Sequence, residues 1–201
     1  MRLARLAALL LTALALTCAA QTAAPLEGRH LVEALRTGGY VLYLRHTSTD
    51  FGQSDEAMTD YANCAQQRNL TDAGREEARA IGAAVKRLRI PVGPILASPF
   101  CRTRETATLV FGTPTVSNAV RGGPGSDADG QRYAELRKLL STPVNKGSNL
   151  AIASHGNPYR AVVGTAYLQE GEMAVIEPRG NGQFQVVARI GKTDWAALAS
   201  P

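Results

Sequence analysis

Three places in the chain put basic side chains where a short apolar run ends. Tyr40–Leu44 runs into Arg45-His46. Ile95–Ala97 is followed by Ser98-Pro99 and then Phe100-Cys101-Arg102-Thr103. Leu150–Ala153 ends in Ser154-His155-Gly156. Arginine presents a planar fork of N–H donors that suits a phosphate or carboxylate. Imidazole can be neutral at physiological pH and can then exchange protons or attack an electrophile. If Arg45, His46, Arg102 and His155 meet, they form a site for a dianion. The dipeptide alone carries little weight, because Arg29-His30 also occurs, in a segment that reads as the solvated face of a first helix.

The surrounding pattern supplies elements that could bring them together. Tyr40–Leu44 is nearly continuous in apolar residues, as in a strand buried on both faces. Ile95–Ala97 and Leu150–Ala153 read as two more strands. Helical spacing appears in Glu27–Arg36, which Gly38-Gly39 stops. It is stronger in the segment after Thr71, where Ala78, Ile81, Val85 and Leu88 share a face and Thr71 is placed to cap. Arg102–Phe111, Gln131–Leu140 and Pro158–Leu168 also read as helices. Residues around "GEMAVIEP" and "GQFQVVARI" read as two strands joined near Arg179–Gly182. Thr47–Arg68 and Gly112–Gly130 are polar or Gly/Pro-rich and read as loops, and loops of that length in a compact domain are usually functional. Helices alternating with strands predict a three-layer α/β/α sandwich with a mostly parallel central sheet, closed by a hairpin. In such sheets ligands bind at the carboxyl ends of the strands, where the three basic stretches lie.

The first 20 residues stand apart. Arg2 and Arg5 precede an apolar run from Leu6 to Leu16, and Cys18-Ala19-Ala20 offers a small-x-small cleavage site. A signal peptide over 1–20 and a single domain over 27–201 are therefore expected, with a periplasmic or secreted product. The apolar run is short for a membrane span. The alternative is a lipoprotein anchored at Cys18. Cleavage removes two arginines and no acid, so the formal charge falls by two from +5, and no dense basic run argues for nucleic acid. It also leaves two cysteines, Cys64 and Cys101. In an exported chain these favour one disulfide over two free thiols. No HxxxH or HxH pair points to a metal, and no cofactor is expected.

Four segments in order resemble the motifs of the histidine phosphatase superfamily, the phosphoglycerate-mutase-like fold. They are Arg45-His46-Thr47 at a strand end, "LTDAGREEA" (Leu70–Ala78), "SPFCRTRETA" (Ser98–Ala107) and His155-Gly156 after a strand. The resemblance spans about Gly39 to Val187. It implies that His46 is a nucleophile that becomes phosphohistidine, with Arg45, Arg102 and His155 holding the phosphoryl oxygens and no metal required. Adjacent arginines should keep the His46 imidazole neutral. The amino end of the helix after Cys101 should add backbone donors.

The chain also departs from the family pattern. Thr47 stands where the family has glycine, and its β-branched side chain is expected to narrow the pocket or add a hydroxyl donor to phosphate, as Ser48 or Thr49 could. The asparagine that often follows is missing, though Gln53 is near. No carboxylate is marked as the proton donor for the leaving group. Asp50, Asp127, Asp129, Glu135, Glu170 and Glu172 are candidates, and Glu172, at a strand start near the sheet's carboxyl end, is preferred. The expectation is a monomeric, exported phosphomonoesterase acting on a small phosphorylated substrate. Hydrolysis is favoured over mutase chemistry because glycolytic phosphate esters belong to the cytoplasm. A catalytically weak or inactive envelope protein that binds a phosphoryl ligand with the same fold is the alternative.

Overall fold

The structure, a computed structural model, describes residues 25–123, 133–164 and 167–198. The proposed signal segment, Cys18, Asp127 and Asp129 lie outside these. A first helix, α1 (Gly28–Thr37), buries Leu31, Val32 and Leu35. Strand β1 (Val41–Arg45) follows, then a long loop with one 3₁₀ turn at Cys64–Gln66. Next come α2 (Asp72–Arg87), β2 (Val92–Ala97), α3 (Cys101–Val110) and a two-residue strand β3 (Thr115–Val116). The remainder is α4 (Ala134–Ser141), β4 (Asn149–Ser154), α5 (Gly156–Val163), β5 (Met173–Gly180), β6 (Gln183–Ile190) and a short α6 (Trp195–Leu198).

The six strands form one sheet in the order β3-β2-β4-β1-β5-β6. β3, β2, β4 and β1 are mutually parallel, while β5 and β6 add an antiparallel hairpin at one edge. Side chains of a strand alternate between faces. Leu42 and Leu44 therefore join α1, α2 and α6 in one apolar layer, and Val41 and Tyr43 join α4 and α5 in the other. This is the expected three-layer sandwich with a mostly parallel sheet.

Some local expectations shift. β2 begins at Val92, earlier than the apolar run, because its register against β4 breaks between Val92 and Ile95. The helix expected over Pro158–Leu168 is α5. It starts at Gly156, directly after His155, and stops at Val163, where Gly164 takes the left-handed conformation (φ 74°). The loop after α3 is not featureless. It holds β3 and a 3₁₀ turn at Asn118–Val120. Among the described residues no helix is long and apolar enough to cross a membrane.

Candidate active site

Parallel pairing of β1, β2 and β4 brings their carboxyl ends side by side, with Arg45 registered against Ser154 and Leu44 against Ala153. The backbone then fixes each functional residue. His46 N–H donates to Ser154 O (3.0 Å), Ser98 N–H donates to Ala153 O (3.0 Å), and Gly171 N–H donates to His46 O (3.0 Å). A cavity of about 630 Å³ opens at this edge. Its walls include Arg45, His46, Arg102 and His155. The control dipeptide behaves oppositely: the Arg29 and His30 side chains are 83% and 78% exposed, while the His46 side chain is 2% exposed.

His46 Nδ1 lies 3.0 Å from Thr47 O. A carbonyl only accepts, so Nδ1 carries the proton, and Nε2 keeps its lone pair. Among the described residues Nε2 has no hydrogen-bond partner. The two imidazoles meet edge to face at 5.4 Å between centroids. Ser98 Oγ lies 2.8 Å from His155 Nε2, and the Tyr43 hydroxyl donates to His155 O at 2.8 Å. Burial holds both imidazoles well below the ordinary histidine pKa. For His46 the Arg102 charge adds to burial, and for His155 His46 and Arg102 do. The arginines expected to keep His46 neutral do contribute, but desolvation is the larger cause.

This has a consequence for stability. The unfolded chain protonates each histidine near pH 6.5, whereas the folded chain keeps both neutral to much lower pH. Below about pH 6.5 the unfolded state therefore binds more protons, and stability falls as pH falls, by up to about 1.4 kcal/mol per pH unit for each histidine. Thermal melts at constant ionic strength should show a flat Tm above pH 7 and a falling one between pH 6.5 and 5, a window above carboxylate titration. A Tm that rises across that window would contradict the burial of neutral imidazoles.

The arginines sit differently. Arg45 donates from Nη1 to Leu168 O (2.7 Å) and lies 3.4 Å from Glu170, with its guanidinium over the Tyr167 ring. Arg102 is buried on α3 and makes a two-pronged pair with Asp55, both N···O distances being 2.9 Å. Arg68 and Arg121 also line the cavity, with Phe100, Tyr61, Met58 and Tyr167 as apolar and aromatic wall. Arg121 donates to the Tyr61 hydroxyl (3.1 Å) and reaches the site because Ser154 Oγ donates to Val120 O (2.6 Å). Beside it, a Cβ on Gly122 would come within 2.6 Å of the His155 ring, so only glycine lets this segment close over the imidazole.

The motif segments now have physical reasons. Thr71 caps α2 by accepting from Gly74 N–H (2.9 Å). Gly74 is bare because a Cβ there would meet Ser48 O at 2.0 Å, so the first turn of α2 packs directly on the chain leaving His46. Thr103 donates to Ser98 O, and Thr106 Oγ1 lies 3.4 Å from Thr47 Oγ1 and accepts from Thr47 N–H (3.3 Å). Thr47 is fully buried in this contact and does not line the cavity.

Several sequence expectations are corrected. Glu172 is not brought to the cavity. Its carboxylate pairs with Arg189 on β6 (2.6 Å) and accepts from Gln169 N–H. Thr49 is buried and donates to Glu170 (2.7 Å), so its hydroxyl faces away from the ligand space. Ser48 is taken up by Glu77, Asp50 by Gly52 N–H, and Gln53 by Asn69. Glu135 is exposed on α4, away from the site. Glu170 stands behind the site, bonded to both Thr49 N–H and Oγ1 and 3.9 Å from His46 Nδ1. The amino end of α3 is less open than expected: Cys101 N–H donates to Gln67 (2.9 Å), and Thr103 and Arg104 N–H donate to Phe100 O. Asp55, Arg68 and Arg121 were not singled out from the sequence. Their only signal was membership of, or proximity to, the two long loops.

Cys64 and Cys101 form a disulfide across 37 residues. With Gln67 and the Arg102–Asp55 pair, it ties the long loop after His46 to α3. Closing a loop of that length stabilises by about 3–4 kcal/mol on the chain-entropy model. Reduction should lower Tm and raise KM for any substrate of this cavity, because Asp55, Met58, Tyr61 and Arg68 ride on that loop. Unchanged Tm and KM after verified reduction would remove the bridge from this role.

Comparison with known proteins follows the same residues. The family model for the histidine phosphatase superfamily (branch 1) matches residues 41–123. A search of curated protein sequences finds no match. Among solved structures, the protein histidine phosphatase SixA complexed with tungstate is 18% identical, covering 77% of this chain and 98% of its own, with a TM-score of 0.52. A phosphoserine phosphatase variant from Entamoeba histolytica, in complex with phosphoserine, is 11% identical over 77% and 98%, with a TM-score of 0.54. A mycobacterial glucosyl-3-phosphoglycerate phosphatase complexed with VO3 is 14% identical over 74% and 97%, with a TM-score of 0.53. At these identities the likeness is one of fold. The family match covers the strand, loop and helix that carry Arg45, His46 and Arg102, and the solved structures share the fold that holds them.

Proposed function

We propose that the chain is an exported phosphomonoesterase that works through a phosphohistidine on His46 and needs no metal. The observation that carries this reading is the His46 imidazole. It is buried and neutral, its Nδ1 proton is committed to Thr47 O, and it sits in a cavity walled by four arginines. A neutral Nε2 is a nucleophile, and the Thr47 carbonyl can take up part of the positive charge that appears on the ring when it is phosphorylated. Arg45 and Arg102 offer the forked donors that a dianionic phosphoryl group needs, and the charge they carry stabilises the one spread over its equatorial oxygens. His155, with Ser98 on Nε2, offers its second nitrogen to the same group.

Structural relatives described as complexes with tungstate, VO3 and phosphoserine support an oxyanion or phosphate ester in this cavity. Export rests on residues 1–20 and agrees with the disulfide, which persists in oxidising compartments.

The test is phosphate release from p-nitrophenyl phosphate by the purified chain in excess chelator, with acid-labile, base-stable label on His46 after rapid quenching with 32P-labelled substrate. Turnover with label on His46 supports the reading. Binding of phosphate with neither label nor release would instead assign a binding protein of the same fold.

A further inference from the structure

Displacing an alkoxide from phosphorus requires a proton for the leaving oxygen unless that oxygen is already a good leaving group. The two carboxylates at the corner before β5 do not serve. Glu170 is held behind the ring by Thr49 and Arg45, and Glu172 is turned away to Arg189. Among the described residues one carboxylate lines the cavity, Asp55.

Its position is unusual in what it occupies. Both Asp55 oxygens sit on the Arg102 fork at 2.9 Å, and Oδ1 also accepts from Arg68 N–H at 2.9 Å. These are the Arg102 donors that a phosphoryl group would use. The Asp55 side chain is 31% exposed and lies on a loop, whereas Arg102 is 5% exposed and fixed in α3. When a phosphoryl dianion arrives, Asp55 is therefore the partner that moves.

We propose that Asp55 is a catalytic residue, released from Arg102 by the incoming phosphoryl group and placed to protonate the leaving ester oxygen. This rests on the phosphohistidine reading above. Released from Arg102, the Asp55 carboxylate takes a proton from solvent as substrate binds. In the first step His46 Nε2 forms the P–N bond as the P–O ester bond breaks. The electron pair of that bond goes to the ester oxygen, which takes the Asp55 proton and leaves as alcohol. Asp55 is left as carboxylate, and His46 as the phosphorylated imidazolium. In the second step water adds to phosphorus and gives its proton to Asp55. The P–N electron pair returns to Nε2, and phosphate departs. Asp55 then returns that proton to solvent and re-forms its pair with Arg102 as product leaves.

The experiment is Asp55→Asn in the full mature chain, assayed on a ladder of esters running from p-nitrophenyl phosphate through phenyl phosphate to glycerol phosphate, with inhibition by inorganic phosphate measured in parallel. Asp55→Glu serves as the conservative control, and a thermal melt confirms folding. An acid role predicts a loss of about 100-fold or more in kcat on glycerol phosphate, at least tenfold greater than the loss on p-nitrophenyl phosphate. It also predicts tighter inhibition by phosphate, because Arg102 is freed, and partial recovery of the ladder in Asp55→Glu. An equal fractional loss along the ladder, or wild-type turnover of glycerol phosphate, overturns it. Absence of label on His46 in the wild-type chain overturns the parent reading instead, and is scored on the wild type alone.

Discussion

His46→Ala protein should release phosphate from p-nitrophenyl phosphate about 10⁴-fold more slowly than wild type, or not measurably, and should retain no acid-labile phosphate. The magnitude follows from the role. Removing a nucleophile forces direct attack by water, and losses on that scale attend deletion of the attacking group in covalent catalysis. The side chain is buried, and among the described residues its ring hydrogen-bonds to the neighbouring Thr47 carbonyl, so its truncation opens a small hole at a cavity wall. Folding should survive, with Tm lowered by a few degrees at most at neutral pH. The acid-side fall in Tm should become shallower, since one of the two buried neutral imidazoles is gone. Turnover by purified His46→Ala at more than a few per cent of wild type would sink the phosphohistidine mechanism.

The second large effect is expected at Arg102. Arg102→Ala should cut kcat/KM by about 10²–10³-fold, the range found when one preorganised donor to a developing anion is removed. Arg102 is the second residue of α3, buried, with its guanidinium over the Phe100 ring at 4.4 Å and a further bond to Arg68 O. Lysine cannot reproduce a two-pronged donor, so Arg102→Lys should recover little. Truncation also leaves Asp55 without its partner. The gain in phosphate affinity expected from Asp55→Asn should therefore largely vanish in the Arg102→Ala background, because it works by freeing Arg102. Strict additivity of the two would mean that they do not compete for the same anion.

Much of the site was legible because strand ends are legible. Buried strands read as short apolar runs, and a basic residue directly after one has few places to go other than the sheet edge. The order of motifs then supplied which edges belong together. Legibility failed where a turn decides direction. Glu170 and Glu172 lie two residues apart around the tight corner before β5, where Glu172 N–H closes back on Gln169 O. That corner sends Glu170 behind His46 and Glu172 outward to Arg189, a choice set by β6 and invisible in local spacing. Asp55 escaped notice for a related reason. Its loop has no period, and its partner on α3 is 47 residues away. Thr47 looked like a modifier of the pocket, yet it packs on Thr106, a contact between two hydroxyls that no local pattern announces.

The strand order carries a consequence for how the molecule comes to exist. β1, which delivers Arg45 and His46, does not pair with the next strand in the chain. It lies between β4 and β5, so its ladder partners are residues 150–154 on one side and 173–176 on the other. Contacts of such long sequence separation form late and slowly, because the loop-closure entropy must be overcome before they help. The cavity around His46 therefore has no early, partial form. During synthesis His46 and Arg45 wait for the last third of the chain, and recovery of phosphate binding in a refolding experiment should track completion of the central sheet, not the earlier appearance of helix.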